Sequence, residues 1–197
     1  MRKTIKINDK QITFNASAGT IIKYKSQFDA DYNTDLAKVE SLDKDDKDYL
    51  PLTLIIGYRL IWAMAETKAT PEVFYNTFKN INIYSDEFEI EDFNTVLGIV
   101  TELFFNSAGA TTIKDTEEET NTDTATSSTD MLTAENLITY ALLCHLQISD
   151  LYKMPIKMIL DIINQYTKIK FGDGKNNSDD DVREATQADF DRMNRMF

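Results

Sequence analysis

A chain of 197 residues with 42% hydrophobic side chains carries enough apolar surface to build a core, which excludes a wholly disordered protein. Its formal net charge of −12 is spread along the length: residues 1–110 hold 12 basic against 17 acidic side chains, residues 111–130 one against six, and residues 131–197 eight against ten. No part is basic, so nucleic acid is not an expected partner, and the single cysteine, Cys144, excludes an internal disulfide.

The opening stretch, MRKTIKINDKQ, alternates polar and apolar residues instead of running apolar. A signal peptide is therefore not expected, nor is any later segment close to the roughly 18 uncharged apolar residues of a membrane span, which places the chain in the cytoplasm. Within residues 4–14, Ile5 and Ile7 share one face of a strand, and Ile12 and Phe14 share one face of the next. Asn8 and Asp9 supply the turn between them, so the pattern predicts a β-hairpin. From Ser17 the period changes to helical, with Ile21, Tyr24 and Phe28 on one side and Ser17 or Thr20 as cap. Residues 29–49 are polar and acidic and are read as a solvated loop or short helical turns.

Residues 50–66 are apolar nearly all round, with Leu52, Ile55, Ile56, Trp62 and Ala63 on one side and Leu54, Tyr58, Ile61 and Ala65 on the other. Such a helix belongs inside a bundle or at an interface between copies. Thr70, Pro71 and Glu72 give cap, first-turn proline and first-turn acid, opening a short helix that points Phe74 and Phe78 inward. Phe93, Val96, Leu97, Val100 and Phe104 then mark a longer helix that closes a first unit over residues 1–110.

Residues 111–130, TTIKDTEEETNTDTATSSTD, hold eight threonines, six acids and no aromatic residue. Burial there cannot offset an ordering cost of about 1–2 kcal/mol per residue, so 111–131 is read as a disordered Thr- and acid-rich linker. Beyond it, Thr133 caps a helix carrying Leu137, Ala141, Cys144 and Ile148, and a second helix carries Ile156, Ile159, Leu160, Ile163 and Tyr166 up to Gly172. This extension, 132–172, is too small to stand alone and is expected to dock on the first unit, on itself or on another protein. The remainder, 173–197, is an acidic tail whose Val182, Thr186, Phe190, Met193 and Phe197 form one stripe of a terminal amphipathic helix. The fold class expected is mainly α (α+β): a short N-terminal hairpin packed on a helical bundle, an acidic tether, then a C-terminal helix pair.

No constellation for catalysis, cofactor or metal emerges. Cys144 and His145 are neighbours that point about 100° apart on a helix, with no third group. Asp173, Asn177 and Glu184 fit three places of a calcium loop, but Lys175 and Ser178 occupy places that require an oxygen ligand and a glycine. The C-terminal helices resemble a helix-turn-helix only in outline, since Lys157, Lys168 and Lys170 come with no arginine to read a guanine edge.

Residues 12–36, ITFNASAGTIIKYKSQFDADYNTDL, resemble the start of tail assembly chaperones from long-tailed phages and prophages of Gram-positive bacteria. In that family a strand ending Phe-x-Ala leads through small residues and threonine to Tyr-Arg-x-x-Phe-Gly-x-Asp. Phe14, Ala16, Thr20, Tyr24, Phe28 and Asp31 match, with Lys25 in the arginine's place and Asp29 in the glycine's. The resemblance covers residues 1–110, and extends to 111–197 only in arrangement. It implies a non-enzymatic protein of the host cytoplasm whose first unit coats the tape measure protein and whose extension, often added by ribosomal frameshifting, recruits tail tube subunits. Self-association of the first unit is the further expectation. The candidate partner-binding residues are Tyr24 and Phe28 from the motif, Trp62 on the central helix, Tyr152 between the C-terminal helices, and Phe190, Met193 and Phe197 on the terminal stripe. The alternative reading is a helical regulatory adaptor that binds another protein or DNA.

Overall fold

The computed structural model describes residues 1–108 and 133–171. The alternating stretch folds as the antiparallel strands β1 (Arg2–Ile7) and β2 (Lys10–Asn15), with Ile5 opposite Ile12 and Lys3 opposite Phe14. Asn8 turns the chain at φ 53°, a conformation asparagine tolerates better than most residues. Ile7, Ile12 and Phe14 are buried on one face, while Arg2, Thr4 and Lys6 stay exposed.

Eight α-helices and one 3₁₀ turn (Lys79–Ile81) follow among the described residues, so the protein is mainly helical with a hairpin packed on the helices. Helix α1 (Ala18–Phe28) starts at the Ser17–Thr20 capping box and ends at Asp29, which adopts the left-handed region at φ 49°. The acidic stretch, expected as a solvated loop or short helical turns, contains a nine-residue helix, α2 (Tyr32–Glu40), with Tyr32, Asp35 and Val39 buried. Helix α3 (Tyr49–Met64) runs through the middle and touches α1, α2 and α5, so its second half, from Leu60 to Met64, is covered on every side. Over Leu60–Met64 the apolar all-round pattern thus reflects burial inside the bundle, whereas Leu50 is 55% exposed and Leu52, Leu54 and Ile55 are half-buried. Helices α4 (Pro71–Thr77) and α5 (Ile90–Ala108) complete the set, with Phe93, Val96, Val100, Leu103 and Phe104 inward from α5.

Helix α6 (Ala134–Leu143) is shorter than its periodicity indicated. It stops because His145 turns into the left-handed region at φ 62°, which removes Ile148 from its face and starts the single turn α7 (Ile148–Leu151). Helix α8 spans Ile156–Phe171. Residues 133–163 pack in the same compact unit as the hairpin and α1–α5, a unit that covers Met1–Ile163. A second unit, Asn164–Phe197, is described only over its helical residues 164–171. The linker read at 111–131 and the stripe from Val182 to Phe197 lie outside the described residues.

Three features fasten residues 133–163 to the N-terminal elements. Ser107 Oγ, 1% exposed, donates to Ala16 O at 2.9 Å and accepts from Ile156 N–H at 3.3 Å. Asp31 Oδ1 accepts the Ala134 N–H at 3.3 Å, and its other oxygen holds Lys25, which also faces Glu135. Tyr152 lies across Gly19, and Ala18 N–H donates to Met154 O at 3.2 Å.

The packing sets an alkaline limit on stability. Burial, first among the causes in each case, raises the phenols of Tyr24, Tyr58 and Tyr75 and pushes that of Tyr32 up to about 12. A phenol whose folded pKa exceeds its unfolded value near 10 contributes stability that is complete below pH ~10 and is lost as pH rises beyond it. Lys23 runs the other way: burial lowers its amine to about 8, so its contribution grows as pH climbs from about 8 towards 10.5. Four phenols outweigh one amine, so the urea midpoint should fall steeply above pH ~10, with tyrosinate absorbance appearing together with loss of helix.

Candidate interaction surfaces

Helices α2, α3 and α5 leave an apolar groove between them. Tyr32, Leu36 and Val39 line it at helical spacing from α2, Thr53, Ile56, Gly57 and Leu60 from α3, and Leu97, Thr101 and Phe105 from α5. Gly57 lets the helices come this close: a Cβ there would fall 2.9 Å from Leu97 Cδ2 and 3.2 Å from the buried Phe93 ring. Leu36 and Leu97 are half-buried and Phe105 is 38% exposed, so the lips of the groove remain in water. Its volume of 130 Å³ is below the roughly 300–1,000 Å³ of small-molecule sites and suits one or two apolar side chains from a partner. The Tyr32 phenol stays protonated on its wall, held up by burial and then by the Glu40 carboxylate.

An ion cluster behind the groove fixes the angle of α2. Asp35, 4% exposed, accepts the Tyr24 hydroxyl at 2.9 Å, Arg59 Nη1 at 3.1 Å and Lys38 Nζ at 3.0 Å, tying α1, α2 and α3 together. Beside it, Lys23 Nζ donates to the carbonyls of Trp62 (3.1 Å) and Ala65 (2.9 Å) and lies 4.1 Å from the Trp62 ring centroid. The lysine thereby caps the C-terminus of α3, where cations are favoured.

The residues singled out from sequence are placed very differently from one another. Tyr24 is fully buried and Trp62 is 5% exposed, with its indole N–H given to Ala69 O at 3.1 Å, so both belong to the core and offer a partner no surface. Phe28 is half-buried, edge-on to Tyr24 at 5.4 Å and to Trp62 at 5.6 Å, with Arg59 over its ring. Tyr152 is 44% exposed while the rest of its ring covers Gly19. Phe190, Met193 and Phe197 lie outside the described residues. Comparison with known proteins finds no matching family model, and no curated protein or solved structure matches.

Two other hollows are more polar. One, of 310 Å³, lies between β2 and α4 and is lined by Gln11, Thr13, Glu66, Thr67 and Thr77 among others; the second, of 240 Å³, surrounds Lys23. Among the described residues no group of three or more His, Cys, Asp or Glu stands ready to hold a metal. The Cys144 thiol is raised by burial, the opposite of what an activated thiolate requires. No helix among the described residues is long and apolar enough to cross a membrane.

The groove residues Leu36, Val39 and Phe105 were not singled out from sequence. A signal was present, since Tyr32, Leu36 and Val39 recur at i, i+4 and i+7, but the surrounding acids outweighed it.

Proposed function

We propose that this chain is a non-enzymatic tail assembly chaperone of a long-tailed phage or prophage, which keeps the tape measure protein soluble in the host cytoplasm by taking its amphipathic helices into the α2–α3–α5 groove. The observation that carries this reading is the groove itself: an apolar hollow between three helices, with exposed apolar lips and a volume matched to side chains. Grooves of this kind accept a helix through anchors at i, i+3, i+4 and i+7. Each fully buried anchor contributes roughly 1.5–3 kcal/mol before ordering costs are deducted.

The C-terminal extension supplies the second binding task, recruitment of tail tube subunits. Leu142, Leu143, Ile148 and Met158 are each about half exposed there, an apolar surface that 1–108 leaves uncovered. Leu36→Glu with Phe105→Glu tests the first task. Phe105 is exposed and Leu36 half-buried, so the variant should keep a cooperative melt at a somewhat lower temperature, yet its affinity for a tape measure helix should fall about tenfold or more. Unchanged affinity in a folded variant would move the contact away from this groove.

A further inference from the structure

Among the described residues the hairpin has one edge with no strand beside it, and its chemistry is defined. Met1 and Ala16 exchange both backbone bonds, the terminal amine donating to Ala16 O at 3.0 Å and Ala16 N–H to Met1 O at 2.8 Å, so they form a hydrogen-bonded pair. In an antiparallel ladder such pairs alternate, and the register then makes Lys3–Phe14, Ile5–Ile12 and Ile7–Lys10 the other bonded pairs. The N–H and C=O groups of Arg2, Thr4 and Lys6 therefore face away from β2. The far edge of β2 is already used, since Glu66 N–H donates to Thr13 O at 2.8 Å and Phe14 bridges Ala65. Among the described residues only β2 pairs with β1.

The open edge is cationic in a chain of net charge −12. Arg2 and Lys6 stand on the solvent face, 70% and 63% exposed, and Lys3 is exposed on the other face beside half-buried Ile5. Their present partners are weak competitors: Arg2 meets Glu66 at 2.6 Å and Lys6 meets Asp9 at 3.4 Å, both pairs open to water. Charged side chains on an edge discourage pairing with an identical edge, because the same cations would face each other. They favour a strand of opposite sign.

We infer that β1 is a docking edge for an extended acidic segment of a partner protein, which adds antiparallel to Arg2–Lys6 and completes a third strand. Its residues opposite Lys6, Lys3 and Arg2 are acidic, the one opposite Thr4 is β-branched, and the one opposite Ile5 is apolar. This edge is separate from the α2–α3–α5 groove and does not depend on what that groove binds.

The probe is a fluorescein-labelled peptide containing Glu-Val-Thr-Asp-Glu, titrated into the full chain at low salt, with a Lys-Val-Thr-Lys-Lys peptide as control. The acidic peptide should saturate, the basic one should not, and hydrogen exchange should show new protection at the Thr4 and Lys6 amides but not at Lys3 or Ile5. Thr4→Pro, which removes an outward N–H, and Arg2→Glu with Lys6→Glu should each weaken binding at least tenfold. Four results would overturn the inference: no saturation; full binding by a folded Thr4→Pro variant, which would mark the contact as charge alone; new protection confined to amides other than the outward Arg2, Thr4 and Lys6; or protection of Thr4 and Lys6 before any peptide is added, which would show the edge already filled by this chain. If Thr4→Pro does not fold, the exchange pattern of the parent chain decides.

Discussion

Asp35→Ala should destabilise the protein by about 3 kcal/mol, because its carboxylate closes three helices onto one point. Removing it strands the Tyr24 hydroxyl, whose residue is 0% exposed and shut off from bulk solvent. Arg59 suffers less: its side chain is 30% exposed and it keeps the face of Phe28, which is why the lower end of the range for a broken buried ion pair applies. Lys38, 59% exposed, adds little. For a domain of this size the loss corresponds to a fall in Tm of about 6–12 °C by circular dichroism. Adding Tyr24→Phe to Asp35→Ala should cost nothing further and should recover part of the loss, since the stranded donor is gone. A Tm within about 2 °C of the parent would show that the cluster does not hold α2 in place. Because α2 forms one wall of the groove, the same variant should also bind a helical partner more weakly.

Gly19→Ala is the second, and acts near the start of α1, the helix that also carries Tyr24. A Cβ on Gly19 would sit 2.4 Å from Tyr152 Cδ1, 2.7 Å from Cγ and 2.9 Å from Cα. Rotating the tyrosine relieves the first two contacts but not the third, which is backbone. Segment 151–154 must therefore lift, stretching the bonds from Asn15 Nδ2 to Tyr152 O and from Ala18 N–H to Met154 O. Overpacking of this kind costs about 1–3 kcal/mol, whereas replacing a helical glycine by alanine returns at most about 1 kcal/mol, so the net change remains destabilising. The signature is regional. Exchange should accelerate at Leu151 and Ile156, while amides around Phe93 and Tyr75 keep their protection. Uniform acceleration would mean that the extension and the first helices open only together.

The parts of this fold that were legible in the sequence are those fixed by near neighbours. Ile5, Ile7, Ile12 and Phe14 mark the hairpin because a strand face needs only alternation, and Thr70-Pro71-Glu72 marks the start of α4 because a cap, a proline and an acid act within one turn. Helix α2 was hidden because the burial of Asp35 depends on Tyr24 and Arg59, whose proximity only the tertiary fold provides. The end of α6 was hidden for a related reason: no glycine or proline stands at 144–147, and the break falls on His145, a residue that enters positive φ more readily than most but far less often than glycine. Trp62 and its neighbours were legible as apolar, but an apolar helix inside a bundle and one at an interface have the same pattern, and only the packing of α1, α2 and α5 around α3 decides between them. The groove arises from the same packing, since no residue of it is unusual alone.

The proposal that the α2–α3–α5 groove keeps a tape measure protein soluble is put to the test by co-expressing the full chain with the tape measure protein of the same operon and purifying through the chain. The tape measure protein should be soluble and co-purify with the parent chain, and should go to the pellet when Leu36→Glu and Phe105→Glu are introduced into a chain that still melts cooperatively. A tape measure protein equally soluble without the chain, or retained equally by the parent and the groove variant, would contradict it.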